Sequence, residues 1–193
     1  MKLSLFFTYP VSLKDWHENG LLQREIVLYK NLIKDYGIRV QFITYGDDSD
    51  YDFIGDVSEI EVIPIYSYIK KPKNKYIKLL QTLLIPWRFK QHIKNTNILK
   101  TNQMYGSWVA VLAKIMFKKP LILRSGYELY SNTLKTKNSI SYKIFIYLIS
   151  LFSYKVSDRI HVATKEDRNF LIQKFSINSE KVTYTLGNTV REI

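Results

Sequence analysis

The residues best placed to do chemistry form one short run, Arg124-Ser125-Gly126-Tyr127-Glu128. A guanidinium and a carboxylate flank a glycine directly after the apolar stretch Pro120–Leu123. An Arg side chain offers a rigid fork of donors to an anion. An ionised Glu accepts hydrogen bonds from sugar hydroxyls or takes a proton as a general base. Glu128 is also the only acid between Val62 and Ser157, a stretch holding 17 Lys or Arg. Arg124 and Glu128 are therefore the catalytic candidates, with Gly126 and Tyr127 beside them as substrate contacts. The alternative use of such a pair is structural, an Arg–Glu bridge over a helix end. Gly20, Tyr105 and Thr164 complete the substrate-binding candidates. Gly20 opens a helix and can let backbone N–H groups approach a phosphate, although a plain turn glycine accounts for it equally. Neither G-x-G-x-x-G nor a P-loop surrounds it, which argues against an ordinary dinucleotide or nucleoside-triphosphatase site. Tyr105 could line a pocket, whereas Trp108 and His161 read as core residues.

Other chemistries lack their residues. The chain has no cysteine, and His17, His92 and His161 are scattered, so disulfides, thiol catalysis and a metal centre are not expected. No cofactor is implied.

The elements that must position these groups alternate. Lys2–Thr8 reads as a buried strand, followed by a polar loop to Asn19-Gly20 and a helix over Leu21–Asp35 built on Leu21, Leu22, Ile26, Leu28, Leu32 and Ile33. Strands follow at Ile38–Thr44 and Glu59–Ile65, separated by an acidic loop over Asp47–Asp56. An amphipathic helix over about residues 74–95, kinked at Pro86, leads to a strand at Asn97–Thr101. A helix over Tyr105–Phe117, a strand at Pro120–Leu123 and a strongly apolar helix over Tyr142–Val156 come next. The strand Arg159–Ala163 ends at Thr164, which with Asp167 reads as the cap of a helix to Phe175. A last strand occupies Lys181–Thr185, and Leu186-Gly187-Asn188 is a turn. This order predicts an α/β fold: one Rossmann-like, doubly wound, mainly parallel sheet flanked by helices. Ligands in such sheets bind at the carboxyl ends of the strands, the rule that selects the loops named above.

Net charge is +12, and all of the excess lies in the middle of the chain. Such a segment attracts phosphates on lipid, nucleic acid or a diphosphate. Its densest stretch, Lys70, Lys71, Lys73, Lys75 and Lys78, precedes an apolar helix bearing Trp87. That composition suits contact with an anionic membrane surface, and solvated surface lysines are the competing reading. No nucleic-acid motif surrounds the cluster, so nucleic acid is not the expected partner. The N-terminal apolar run is too short for a signal peptide, and no stretch reaches the length of a membrane span. A cytoplasmic location, peripheral on the inner membrane face at most, is expected.

Several segments together resemble a known family. Lys-Leu-Ser-Leu-Phe-Phe-Thr, then Gly20-Leu-Leu-Gln-Arg-Glu25-Ile-Val-Leu-Tyr-Lys-Asn-Leu32, is similar to the opening of retaining GT-B glycosyltransferases of family 4. Arg124–Glu128 resembles the loop after that family's mid-domain strand. Ser157-Asp158-Arg159-Ile160 with Ala163-Thr164, and the tail Lys181–Val190, resemble its later segments. The resemblance implies the N-terminal, acceptor-side half of a GT-B fold over residues 1–187, with 188–193 beginning a linker to a C-terminal domain. It further implies transfer of a sugar from a nucleotide-sugar to a saccharide or lipid-linked acceptor, for polysaccharide biosynthesis. Gly20 would approach the donor diphosphate, while Arg124 and Glu128 would handle the acceptor or transferred sugar. The donor-binding domain, with its basic pair and E-x7-E motif, would be supplied in cis or by a partner chain, and this half alone would be inactive. The alternative is a non-catalytic basic module for an anionic membrane or polyanion.

Overall fold

The computed structural model describes residues 1–185, apart from the side chains of residues 56 and 57; the expected turn and linker at 186–193 lie outside that range. The first half of the chain runs β1 (Lys2–Phe6), α1 (Leu13–Glu18), α2 (Leu22–Tyr36), β2 (Arg39–Thr44), a 3-10 segment (Asp48–Val57), β3 (Ile60–Pro64) and α3 (Ile65–Tyr68). It continues through α4 (Lys75–Thr82), α5 (Ile85–Arg88), α6 (Lys90–Lys94), β4 (Ile98–Thr101) and α7 (Ser107–Phe117). The remainder is β5 (Leu121–Ser125), α8 (Leu129–Lys135), α9 (Ile140–Val156), β6 (Arg159–Val162), α10 (Lys165–Phe175) and β7 (Val182–Tyr184).

All seven strands pair in parallel in the order β3-β2-β1-β4-β5-β6-β7. The doubly wound parallel sheet is as expected. Its direction of winding reverses between β1 and β4, and this switch point is where such sheets open a crevice. One core cluster joins the β1–β4 half to α1, α2 and the helices between β3 and β5. A second joins β5–β7 to α9 and α10 through Leu123, Tyr154, Ile160, Val162 and Phe175. On the α2 side of β6 and β7, by contrast, Arg159 and Thr183 are exposed.

Four local readings change. The polar loop after β1 contains a helix, α1, held by a reciprocal Ser12–Asp15 capping box; with Leu13 and Trp16 as its buried pair, it is too short to show a period. On α2 the buried residues are Leu22, Ile26 and Tyr29, while Leu28 is half exposed. The helix expected over 74–95 is three pieces, because Pro86 lacks an N–H and must sit in the first turn of α5. Ile85, Phe89 and Ile93 all reach the core. Finally, β5 extends to Ser125, so Arg124 is a strand residue, and the unanticipated α8 begins just after Glu128.

Candidate functional site

A cleft of about 450 Å³ lies at the switch point, bordered by Thr8 and Val11, by Asp15, Trp16 and Asn19, by Arg24 and Glu25, and by Asn102 and Gln103. Three segments converge to make it: the loop and helix after β1, the first turn of α2, and the loop after β4. Each is fixed locally. Asp50, fully buried, accepts the backbone N–H groups of Leu13 (3.1 Å) and Lys14 (3.0 Å) and the Thr44 hydroxyl (2.6 Å). A carboxylate at the start of α1 satisfies helix donors that have no partner within the helix. Gly46 makes room for it, since a Cβ there would fall 2.0 Å from Asp50 Oδ2. Trp16 is then stacked on Phe7, with ring centroids 4.1 Å apart.

The loops after β1 and β4 are pressed together. Tyr9 N donates to the Tyr105 carbonyl at 3.1 Å. Gly106, at φ +97°, is required there, because a Cβ would come 2.7 Å from Tyr9 N. Gly126 has a similar role after the neighbouring strand β5: its N–H donates to Gln103 Oε1 at 2.7 Å, and a Cβ would meet the Gln103 amide at 2.9 Å. The rim residue Gln103 is thus anchored by a backbone group of the Arg124–Glu128 run.

The floor of the cleft is an ionic network. Glu25 accepts from Arg124 Nη1 at 2.8 Å and from Arg24 Nη2 at 3.1 Å, and Arg124 Nη1 also donates to Asn102 Oδ1 at 3.2 Å. Burial pushes the Glu25 carboxyl upward, but the charge and hydrogen bond of Arg124, aided by Arg24, more than offset it and hold the pKa below the usual value. Behind it, Lys100 Nζ donates to the Tyr29 hydroxyl at 2.9 Å. Burial and the nearby Arg124 charge depress this ammonium to about 8 despite the favourable Glu25. His161 lies beyond, its ring nitrogens 3.1 Å from the hydroxyls of Thr183 and Thr185. Burial first, then Arg124 and Lys100, lower its pKa. As expected it is a satisfied histidine, although half buried on a sheet face rather than deep in the core.

The sequence candidates fall in different places. Arg124 lies under the cleft, and its partner is Glu25 rather than Glu128. Glu128 is 1% exposed and caps α8, accepting from Ser131 N and, at 2.9 Å, from the Tyr154 hydroxyl. Burial raises its pKa against the pull of those hydrogen bonds. The expected juxtaposition of Arg124 and Glu128 therefore does not occur: Arg124, on β5, reaches Glu25 of α2, while Glu128 lies past the end of the strand, where the turn into α8 carries it to Tyr154 of α9. Gly20, at φ +65° with open space around it, ends the turn between α1 and α2 beside the cleft. Tyr105 is half buried against Tyr9 and Trp108. Tyr127 is exposed, and Thr164 caps α10 by accepting from Asp167 N at 3.0 Å. Asp15, Arg24, Glu25, Asn102 and Gln103 are cleft residues that the sequence reading passes over. The signal for Glu25 was an acid in the first turn of the helix after Gly20. Among the described residues no cluster of His, Cys, Asp and Glu could hold a metal ion.

No protein-family model matches the sequence, and no curated protein matches it. Solved structures match by fold. A glycosyltransferase from Rickettsia africae ESF-5 aligns over 95% of this chain and 42% of its own, at 16% identity and a TM-score of 0.54. Anabaena Alr3699/HepE, solved in complex with UDP-glucose, aligns over 95% of this chain and 43% of its own, at 12% identity and 0.61. A UDP-GlcNAc 2-epimerase from Neisseria meningitidis, bound to UDP-GlcNAc, aligns over 96% and 46%, at 19% identity and 0.60. The fold is one half of the GT-B architecture. The chain spans less than half the length of these structures. Glycosyltransferases and an epimerase share the architecture, so the fold by itself does not select the reaction.

Proposed function

We propose that the chain is the acceptor-side half of a retaining GT-B glycosyltransferase resembling family 4, which moves a sugar from a nucleotide-sugar to a saccharide or lipid-linked acceptor. The observation that carries this reading is the switch-point cleft. Its rim is made of side chains that both donate and accept hydrogen bonds, Asn19, Asn102 and Gln103, with the carboxylate of Asp15 and the guanidinium of Arg24 beside the largely buried Trp16. Such a mixture suits sugar hydroxyls and a ring face better than it suits a flat aromatic cofactor. The cleft is an open groove walled by one domain, and the donor nucleotide would be held by a second domain, in cis or from a partner chain. Gly20 faces open space at the mouth, where a diphosphate could approach the backbone. Arg124, held by Glu25 and Asn102, acts here as a positioning residue for the floor. Glu128 keeps α8 and the Gly126–Gln103 contact in place from the far side.

The test is saccharide titration of the isotopically labelled 193-residue chain, followed by amide chemical shifts. Mono- and disaccharides should move the signals of Asn19, Gly20, Arg24, Asn102 and Gln103, and Asn102→Ala should weaken binding at least tenfold. The chain alone should not turn over nucleotide-sugars. Efficient transfer by the isolated chain, or saccharide shifts confined to another surface, would overturn the assignment.

A further inference from the structure

The helical layer carries two apolar stripes left uncovered by the described fold. On α4 and α5, Tyr76, Ile77, Leu80, Leu83, Leu84 and Trp87 are each 48–66% exposed, while Thr82, Ile85 and Phe89 on the other side are buried. On α9, Ile140, Ile144, Leu148 and Phe152 recur every four residues, each 49–77% exposed. The sequence leaves open whether the apolar side of this region contacts a membrane or packs on the sheet, and in the structure apolar residues occupy both sides. The stripes belong to one surface layer, because α7 bridges them. Trp108 Nε1 of α7 donates to Thr82 Oγ1 of α4 at 2.8 Å, and the hydroxyls of Ser107 and Ser153 join α7 to α9 at 2.9 Å. Two stripes of large apolar side chains exposed on one helical layer mark an interaction site.

Charge selects the occupant. Lys70, Lys71, Lys73 and Lys75 stand exposed at the start of α4, and Arg88, Lys90 and Lys94 follow its stripe. The only acid from Val62 to Ser157 is Glu128, and it is buried. This whole 96-residue stretch therefore presents cations and apolar groups to solvent but no carboxylate. Two copies meeting face to face would bring lysine against lysine. A soluble polyanion would meet the lysines and leave the stripes wet. A surface that is anionic outside and apolar within satisfies both features at once.

We infer that this face docks on an anionic lipid bilayer, with the α4–α5 and α9 stripes at the headgroup–acyl boundary and the lysines among the phosphates. Docking goes beyond the cleft reading and stands without it, since vesicle binding reports on the helical face while saccharide shifts report on the switch point. Among the described residues no helix is long and apolar enough to cross a membrane, so attachment is at the surface.

The experiment uses the full chain with phosphatidylcholine vesicles prepared with and without phosphatidylglycerol. Flotation should recover the chain with the anionic vesicles only, and about 1 M salt, where the Debye length is about 3 Å, should release it. Each exposed lysine changed to Gln should lower partitioning about fivefold, the factor that corresponds to roughly 1 kcal/mol per basic residue at an anionic leaflet. Trp87 supplies an internal reporter, because Trp16 and Trp108, the other two tryptophans, are buried. Its emission should shift to the blue on binding, and Trp87→Phe should abolish the shift. Leu80→Ser/Leu84→Ser and Ile144→Ser/Leu148→Ser alter exposed positions and should each weaken recruitment at least tenfold with unchanged circular dichroism. Equal recruitment to neutral vesicles, no recruitment at all, or a dimer that masks Trp87 without lipid would each overturn the inference. So would tighter binding to soluble polyphosphate with no Trp87 shift.

Discussion

Replacing Glu25 by Gln removes the one carboxylate from a floor that otherwise holds Arg124, Arg24 and Lys100. The Glu25 side chain is 12% exposed and that of Arg124 29%, and their atoms meet at 2.8 Å. Breaking a fully buried pair by deleting one partner costs about 3–5 kcal/mol, whereas an exposed pair is worth about 0.2–1 kcal/mol. The intermediate burial here places the loss at about 2 kcal/mol. For a chain of this size that lowers the melting temperature by about 4–8 °C. The pH dependence has a fixed sign. The folded-state pKa of Glu25 lies below its unfolded value, so its stabilisation is present above the ordinary Glu range and disappears as pH falls through the lowered value. Wild type and Glu25→Gln should therefore differ fully at pH 7 and converge in acid. Thermal unfolding at several pH values, in a double-mutant cycle with Arg124→Met, measures the coupling directly. A coupling below about 0.5 kcal/mol, or a difference that persists unchanged in acid, would refute the idea that this pair holds the cleft floor.

Lys100→Met should stabilise the protein at pH 7. A lysine whose pKa falls from 10.5 to about 8 on folding costs roughly 3 kcal/mol while charged. That cost fades as pH rises from 8 to above 10, so the gain measured in melting temperature should vanish over the same window; a gain independent of pH would contradict it. Asp50→Ala should cost about 2–4 kcal/mol by leaving the buried Leu13 N–H, the part-buried Lys14 N–H and the buried Thr44 hydroxyl without their acceptor, and should weaken saccharide binding by releasing α1. Retained binding with full stability would remove Asp50 from that role. Gly106→Ala must place a Cβ 2.7 Å from Tyr9 N at a positive φ, and a loss of about 2–4 kcal/mol in denaturant unfolding is expected. Glu128→Gln keeps an acceptor for only one of the Tyr154 hydroxyl and Ser131 N–H, but it relieves a buried carboxylate whose pKa is raised. Because that carboxylate destabilises the fold as pH rises above the ordinary Glu range, the variant should flatten the stability profile there, and an unchanged pH profile would contradict it.

Alternation of strands and helices is legible along the chain, and with it the parallel sheet and the strand ends where ligands gather. Period-2 and period-3.6 patterns are local, and runs such as Lys2–Phe6 and Ile140–Val156 carry enough residues to register them. The confinement of the charge to the middle of the chain is equally plain from residue order. Partners are not. Arg124 and Glu128 are four residues apart, a spacing that would share one face of a strand, yet β5 ends at Ser125 and the turn into α8 carries Glu128 to Tyr154, while Arg124 meets Glu25, 99 positions away. Trp16 and Asp15 sit on a six-residue helix too short to show a period, and the group that latches it, Asp50, comes from a segment read as an acidic loop. Whether an apolar stripe faces the core or the solvent is likewise set by what packs beside it. Helical spacing already separates Ile85 and Phe89 from Leu80, Leu84 and Trp87, but only the core packed against the first pair decides that it is the buried one. Local pattern fixes which groups a helix carries, but only the assembled layers determine what each group faces.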